Sequence, residues 1–406
     1  MISSQYDASS PLFSTQGFED PELQLTPELL KGVYALKFKR PSRIQATTLP
    51  IIIKARQHLI AQAQNGTGKT GAFALSMLRL VDPAVKSVQA LLICPTREIA
   101  RKNAAVIDQM AQFTGLPKCM LAIPDAPDSA GSPIVVGTAG KVLQLFQLKK
   151  LKPAHVKMLV LDEADQMIDL QGQQSQTEKI KKDLPPACQI LLFSATYSDE
   201  VAAFASKFVP QPRVEIRLKR QELSLEKVAQ FYVQCGAEAN KFQVLDDIYG
   251  YLGTGKSVIF VQTKDKAALL AKKLTEQDHV VGYFSSELTT QQRDAVMDDF
   301  EREQGKTRVL VATNVLSRGV DVKNLTLVVN YEVPLLQDGK PDPETYLHRI
   351  GRTGRFGASG IAINLVHDAA SMAAVTHFEN YYSKKVNELK VTEIEKLGDM
   401  LAQLGR

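Results

Sequence analysis

Short β-branched runs alternate with helix-patterned stretches along this chain, and the rhythm occurs twice. The first series spans Phe18 to about Glu215. Its strand-like runs are Leu59–Ala61, Ala90–Cys94, Ile134–Val136, Met158–Leu161 and Ile190–Phe193. The second has Ser257–Val261, Val280–Phe284, Arg308–Val311, Leu325–Val329 and Ile361–Val366. Such alternation predicts an α/β class: parallel sheets, each flanked by helices on both faces. Between the series, near Arg213 to Lys227, the pattern breaks into the charged stretch Arg217–Glu222. The expected organisation is a flexible leader over 1–17, a first domain over 18–215, a linker over 216–227 and a second domain over 228–406. A length of 406 residues suits two cores better than one.

Several function classes are excluded early. No run of about 18 uncharged apolar residues exists, so no membrane-spanning helix is expected. Met1–Gly17 is polar and lacks the apolar core of a secretory signal. The four cysteines (Cys94, Cys119, Cys188, Cys235) form no CxxC pair, and the histidines show no ligand spacing. Reduced thiols and no zinc are therefore expected. A net charge of +5 permits an anionic partner without demanding one.

Ala63-Gln64-Asn65-Gly66-Thr67-Gly68-Lys69-Thr70 lies between the run Leu59–Ala61 and the helix-like Phe73–Leu78. Two glycines let backbone N–H groups turn inward, and a helix starting at Lys69 aims its positive end at the same point. Lys69 can reach outer phosphates, and the Thr70 hydroxyl can ligate Mg²⁺. Ala63 stands where the strict phosphate-loop pattern has its first glycine.

In open parallel sheets, chemistry collects beyond the carboxyl ends of strands. Polar clusters fall there repeatedly: Pro95–Glu98, Thr138–Lys141, Asp162–Asp165, Ser194–Thr196, Gln262–Thr263 and Thr313–Asn314. Asp162 and Glu163 suit a Mg²⁺ shell and an attacking water, given a phosphate loop about 90 residues upstream. Alone, the pair also suits a helix start, where acids favour the first turn. His348–Arg355 holds three arginines and two glycines in eight residues. Arg352 and Arg355 can stabilise charge that builds on a transferring phosphoryl group. Asp321 can bond a ribose hydroxyl or cap a turn. Gln45 can read an adenine edge, with Phe38 stacking on the base; equally, Gln45 can cap a helix and Phe38 can belong to the core. Gln171–Gln176 reads as a solvated loop, and the tail from Val386 as helical.

These motifs, in this order, resemble the DEAD-box ATP-dependent RNA helicases. The resemblance rests on Ile44-Gln45, Ala63–Thr70, Pro95–Glu98, Asp162–Asp165, Ser194–Thr196, Arg318–Asp321 and His348–Arg355. It implies two tandem RecA-like domains, with ATP and Mg²⁺ at their interface and RNA across both. It implies adenine recognition by Phe38 and Gln45, with Phe356 from the second domain, and Asp321 near the ribose. Ser194 and Thr196 would couple hydrolysis to strand separation. RNA-backbone contacts carry over to Thr96, Arg97, Thr138, Gly140, Gln262, Thr263, Arg293 and Thr313. Leu335–Pro343 forms a long connection where most relatives are shorter. That insertion, Asp165–Ile168 with Gln171-Gly172, and Thr313-Asn314 in place of the usual Thr-Asp resemble the branch that remodels messenger ribonucleoprotein at the nuclear pore. By resemblance, that branch works with a cytoplasmic-face nucleoporin and an activator using inositol hexakisphosphate. A monomer, acting in cytoplasm and nucleus, is expected. Few residues precede Phe18, so autoinhibition by a long leader is not expected.

Other readings compete. The 335–343 insertion disfavours a translation-initiation member of the family. Intact Glu163, Ser194–Thr196 and Arg355 disfavour an ATP-gated RNA scaffold with slow turnover. The Asp-Glu-Ala-Asp spelling and Gln45 disfavour a DNA helicase.

Overall fold

The computed structural model describes residues 13–63, 66–124, 126–127, 131–169, 172–217, 228–250, 255–285, 287–302, 304–314, 325–336, 338–354 and 359–404. The chain divides into two compact units, Met1–Leu218 and Lys219–Arg406. Most of the leader (1–12) and of the expected linker (218–227) lies outside the described residues.

The first unit contains β1 (His58–Gln62), β2 (Ala90–Cys94), β3 (Met120–Ala122), β4 (Ile134–Thr138), β5 (Met158–Leu161), β6 (Gln189–Ser194) and β7 (Arg213–Ile216). They form one sheet in the order β3-β4-β2-β5-β6-β1-β7, every pair parallel. The second unit contains β8 (Val228–Gln234), β9 (Lys256–Phe260), β10 (Val281–Phe284), β11 (Val309–Ala312), β12 (Leu325–Asn330), β13 (Gly360–Val366) and β14 (Asn387–Glu388). Its order, β10-β11-β9-β12-β13-β8-β14, is the same order by rank, again wholly parallel. These are two tandem RecA-like domains.

Period-two geometry explains why the strands read as continuous apolar runs. Leu59, Ala61, Leu92, Val160 and Phe193 face one core with the Lys69–Leu80 and Arg97–Met110 helices. Ile60, Leu91, Leu159 and Leu192 face the other, against the Ala139–Gln147 and Asp199–Phe208 helices. A sheet buried on both faces has no polar side to show in its sequence. The edge strand β7 does carry charge: Arg213 pairs with Glu215 at 2.8 Å.

Several local expectations differ from the structure. Strands β3, β7, β8 and β14 were not foreseen, because the two- to four-residue edge strands β3, β7 and β14 and the half-polar β8 carry little periodic signal. Strand β7 runs through Ile216, one residue into the expected linker. Gln173–Gln176 is not a solvated loop but the first turn of the Gln173–Asp183 helix, and the Gln173 Nε2 donates to the Pro95 carbonyl at 2.9 Å. Gln171 lies outside the described residues. The tail is not helical from Val386: β14 and a 3₁₀ turn precede the Glu395–Leu404 helix. Among the described residues, no helix is long and apolar enough to cross a membrane.

Candidate active site

The phosphate loop leaves β1 and re-enters the fold as the Lys69–Leu80 helix, which begins at the expected residue. Gly66 (φ 80°) and Gly68 (φ 101°) hold backbone conformations that disfavour a side chain. At Gly68 a Cβ would also lie 2.7 Å from both the Gln45 Nε2 and the Ser42 Oγ. Gln64 and Asn65 lie outside the described residues. Ala63 closes the base of the loop: its N–H donates to the Ser194 carbonyl at 3.0 Å, and its carbonyl accepts from the Lys69 Nζ at 2.8 Å.

Gln45 braces this loop from outside. Its Oε1 accepts from the Ser42 N–H at 2.9 Å, completing a capping box on the Arg43–Leu49 helix. Its Nε2 donates to the Gly68 carbonyl at 3.0 Å. The capping alternative is therefore realised here; one amide hydrogen and one carbonyl lone pair remain for a base edge. Phe38 is half-buried against the core, consistent with its core alternative.

Asp162 and Glu163 follow β5, both buried. The Asp162 Oδ1 accepts from the Glu163 N–H at 3.1 Å, and its Oδ2 accepts from the Asn103 Nδ2 at 2.8 Å. Burial pushes the Asp162 carboxyl up to about 6 and the Glu163 charge adds to the rise, while Lys69 and Asn103 oppose it. Glu163 has φ 52°, a left-handed conformation unusual for a residue with a side chain. The surrounding fold holds that strain, which is common at functional positions. Its Oε2 is buried with no hydrogen-bond partner among the described residues. The helix begins one residue later, at Ala164, so the helix-start reading and the catalytic reading share the same turn.

Asp165 joins this turn to the segment after β6. Its Oδ2 accepts from the Thr196 N–H at 3.1 Å and the Thr196 hydroxyl at 2.7 Å, and its N–H donates to the Ser194 Oγ at 3.4 Å. Phosphate loop, acidic turn and Ser194–Thr196 thus form one hydrogen-bonded block. Thr70 and Asp162 offer the hard oxygen donors that Mg²⁺ takes, with the nucleotide supplying the rest. Ala63, Thr67, Lys69, Thr70 and Gly68 gather at the helix start, as an anion cradle requires.

In the second unit, Arg349 is fully buried in the Pro343–Ile350 helix. Its guanidinium donates to the Asn314 Oδ1 at 2.6 and 3.0 Å, to the Asn330 Oδ1 at 3.1 Å and to the Glu332 carbonyl at 2.7 Å. Burial holds it down to about 9, and Asp342 and Glu332 offset part of that effect, so it remains charged at neutral pH. Asn330 continues the network to Asn364, and Asn364 to Tyr346. Arg352 is buried too, its Nε donating to the His348 carbonyl at 2.9 Å. Arg355, Phe356 and Asp321 lie outside the described residues.

The RNA-contact candidates occupy matching ranks in the two sheets. Thr96 follows β2 and caps the Arg97–Met110 helix; Thr263 follows β9 and caps the Lys264–Glu276 helix. Thr138 ends β4, with Gly140 exposed in the next helix, and Thr313 follows β11. Gln262 is held by Glu332, whose Oε2 accepts from its N–H at 2.7 Å. Arg97 is buried and Arg293 half-buried.

Residues 42–204 match the DEAD/DEAH box helicase family, and residues 240–357 match the helicase conserved C-terminal domain. The ATP-dependent RNA helicase DBP5 of Kluyveromyces lactis is 44% identical over 396 residues, 96% of this chain and 82% of that protein. The chain belongs to the DEAD-box ATP-dependent RNA helicases. Saccharomyces cerevisiae Dbp5 bound to RNA and ADP BeF3 matches this helicase with a TM-score of 0.91 at 40% identity, covering 96% of this chain and 100% of that one. A Dbp5 variant bound to Nup159, Gle1, IP6 and ADP matches with a TM-score of 0.69 at 39% identity, covering 93% and 100%.

Two residues of this helicase were missed by sequence reasoning. Asn103 bridges Thr70 and Asp162, and Arg349 was quoted within its motif without a role. Asn103 left a signal: it is a buried amide in an otherwise apolar stripe of Ile99, Ala100, Ala104, Ile107 and Met110.

Proposed function

We propose that this RNA-dependent ATPase clamps single-stranded RNA when ATP is bound, separates short duplexes and remodels messenger ribonucleoprotein during export from the nucleus. The observation that carries the reading is the block of Lys69, Thr70, Asp162 and Glu163 hydrogen-bonded through Asp165 to Ser194–Thr196. Lys69 binds the outer phosphates beside backbone N–H groups of Gly66–Thr70. Thr70 and Asp162 would hold Mg²⁺, which would supply positive charge to the phosphate oxygens. Glu163 orients the attacking water and takes its proton. Arg352 and Arg355 of the second domain supply positive charge to the transferring phosphoryl group. Gln45 and Phe38 recognise adenine, with Phe356, and Asp321 meets the ribose.

Thr96, Arg97, Thr138, Gly140, Gln262, Thr263, Arg293 and Thr313 hold the RNA by its backbone and 2′-hydroxyls, so sequence specificity comes from partners. Ser194 and Thr196 transmit the state of the hydrolytic turn through Asp165. The solved complex of a Dbp5 with Nup159, Gle1 and IP6 supports a nucleoporin and an inositol hexakisphosphate-dependent activator as partners here. Action at the nuclear pore, between cytoplasm and nucleus, follows from those partners.

Steady-state ATP hydrolysis with and without single-stranded RNA tests the reading. RNA should stimulate turnover, and matched DNA should not. Absence of stimulation would overturn it. Recovery of nucleoporins from extract in the presence of ATP tests the export assignment; recovery of initiation factors instead would replace it.

A further inference from the structure

We infer that Asn103 is a positioning residue for the cation site, a role that rests on the nucleotide reading above. Asn103 is 2% exposed and lies in the Arg97–Met110 helix. Its amide stands between the two side chains assigned to Mg²⁺. The Nδ2 donates to the Asp162 Oδ2 at 2.8 Å, and the Oδ1 accepts from the Thr70 hydroxyl at 3.3 Å. The Cys94 Sγ, 3.5 Å from the Nδ2, also fixes the amide from the end of β2.

The orientation of that amide has a chemical consequence. An ionised carboxylate only accepts hydrogen bonds, so the amide nitrogen must face Asp162. The amide oxygen is then turned to Thr70. A threonine hydroxyl has one hydrogen, and here it points at Asn103. Its lone pairs are left for a cation. The Asp162 Oδ2 is likewise held by one bond, and its Oδ1 by the Glu163 N–H, leaving lone pairs on both oxygens. One amide thereby sets two hard donors in a cation-accepting state. An apolar residue at 103 would leave the Thr70 hydrogen free to rotate and Asp162 with a buried, unpaired oxygen.

Calorimetric binding of a non-hydrolysable ATP analogue, with Mg²⁺ present and with Mg²⁺ removed by EDTA, tests this on the full chain. Asn103→Leu keeps the branched outline of the side chain, with bulkier methyl groups, and removes both hydrogen bonds. Its gain in analogue affinity on adding Mg²⁺ should fall about 10-fold relative to the parent. Affinity in EDTA should be unchanged. Asn103→Thr retains one hydrogen-bonding group and should fall between the two, which keeps the test open if Asn103→Leu does not fold. Equal losses with and without Mg²⁺ would assign Asn103 a structural role only and overturn the inference. So would a Mg²⁺ gain equal to the parent's in both variants. If the parent itself shows no Mg²⁺-dependent analogue binding, the assignment of Thr70 and Asp162 fails, and the Asn103 role falls with it.

Discussion

The two units thread seven parallel strands in the same order, yet they bury different charged groups. In the first unit, the turn after β1 carries Lys69, and the turn after β5 carries Asp162 and Glu163. In the second, β8 leads to Cys235-Gly236-Ala237 without a phosphate loop, and β12 leads to Tyr331-Glu332. There the buried charged side chains among the described residues are Lys241, Lys256, Arg349 and Arg352, all cationic, and Arg349 is hydrogen-bonded by neutral acceptors. The threonines behave differently: Thr96 and Thr263 cap helices after strands of equal rank, and Thr138 ends β4 while Thr313 follows β11, its equal in rank. One backbone therefore carries a duplicated set of candidate RNA contacts and an unduplicated hydrolytic site. The sheet supplies positions, and the turns supply chemistry.

The comparison can be broken most directly at Glu163. Glu163→Gln should lower the rate of hydrolysis by about 10²–10⁴-fold and preserve ATP-dependent RNA binding. Single-turnover hydrolysis and fluorescence anisotropy with labelled RNA read the two effects separately. Loss of RNA binding as well would mean that the acidic turn serves both functions and that the unduplicated hydrolytic site is not separate from the duplicated contacts.

The second unit should be equally sensitive at Arg349, but in stability. Arg349→Met leaves the Asn330 amide oxygen and the Glu332 carbonyl without their donor, at a cost of about 3 kcal/mol. Arg349→Lys should not restore it, because one ammonium lacks the planar fork that reaches three acceptors. Hydrogen exchange on the intact chain should quicken in β11 and β12 and stay unchanged in β1 and β5. Unchanged exchange in β12 would show that the network does not hold this unit together.

A smaller effect, of opposite sign, is expected beside the hydrolytic turn. Gln166 is fully buried, and neither side-chain polar atom has a hydrogen-bond partner among the described residues. Gln166→Met keeps the length and removes the unmet polarity. The first unit should gain about 1 kcal/mol, or roughly 2–4 °C in thermal midpoint. A lower midpoint would mean that the amide is satisfied by water. The smallest change is Asn314→Asp, which converts an exposed acceptor of Arg349 into an ion pair. It should add no more than about 1 kcal/mol and fade as salt rises. A larger, salt-independent gain would show that this side of the network is more buried than Asn314 itself.

Much of the site was legible because its chemistry is contiguous. Gly66–Thr70, Asp162–Asp165 and Ser194–Thr196 each lie on one turn at a strand end, so residue type and spacing were enough to propose them. Asn103 was not legible as part of the site, because its partners are 33 and 59 positions away in the chain. Gln45 was ambiguous for a related reason. Its capping bond to Ser42 is local, but its bond to Gly68 exists only once two helices pack. The first turn of the Gln173–Asp183 helix was misread because it is polar and its Gln173 side chain meets a partner, the Pro95 carbonyl, far away in the chain.

By itself, then, the amino-acid order determined two parallel α/β units, the strand-end turns that carry chemistry, and the helicase family. Periodicity and motif spacing act over a few residues and need no partner. Only the tertiary structure decided that both sheets share one strand order, that Asp165 ties the acidic turn to Thr196, that Asn103 joins Thr70 to Asp162, and that Arg349 is buried among neutral acceptors. Those contacts depend on which strands become neighbours. Strand order is set by packing across the whole sheet, which no local pattern records.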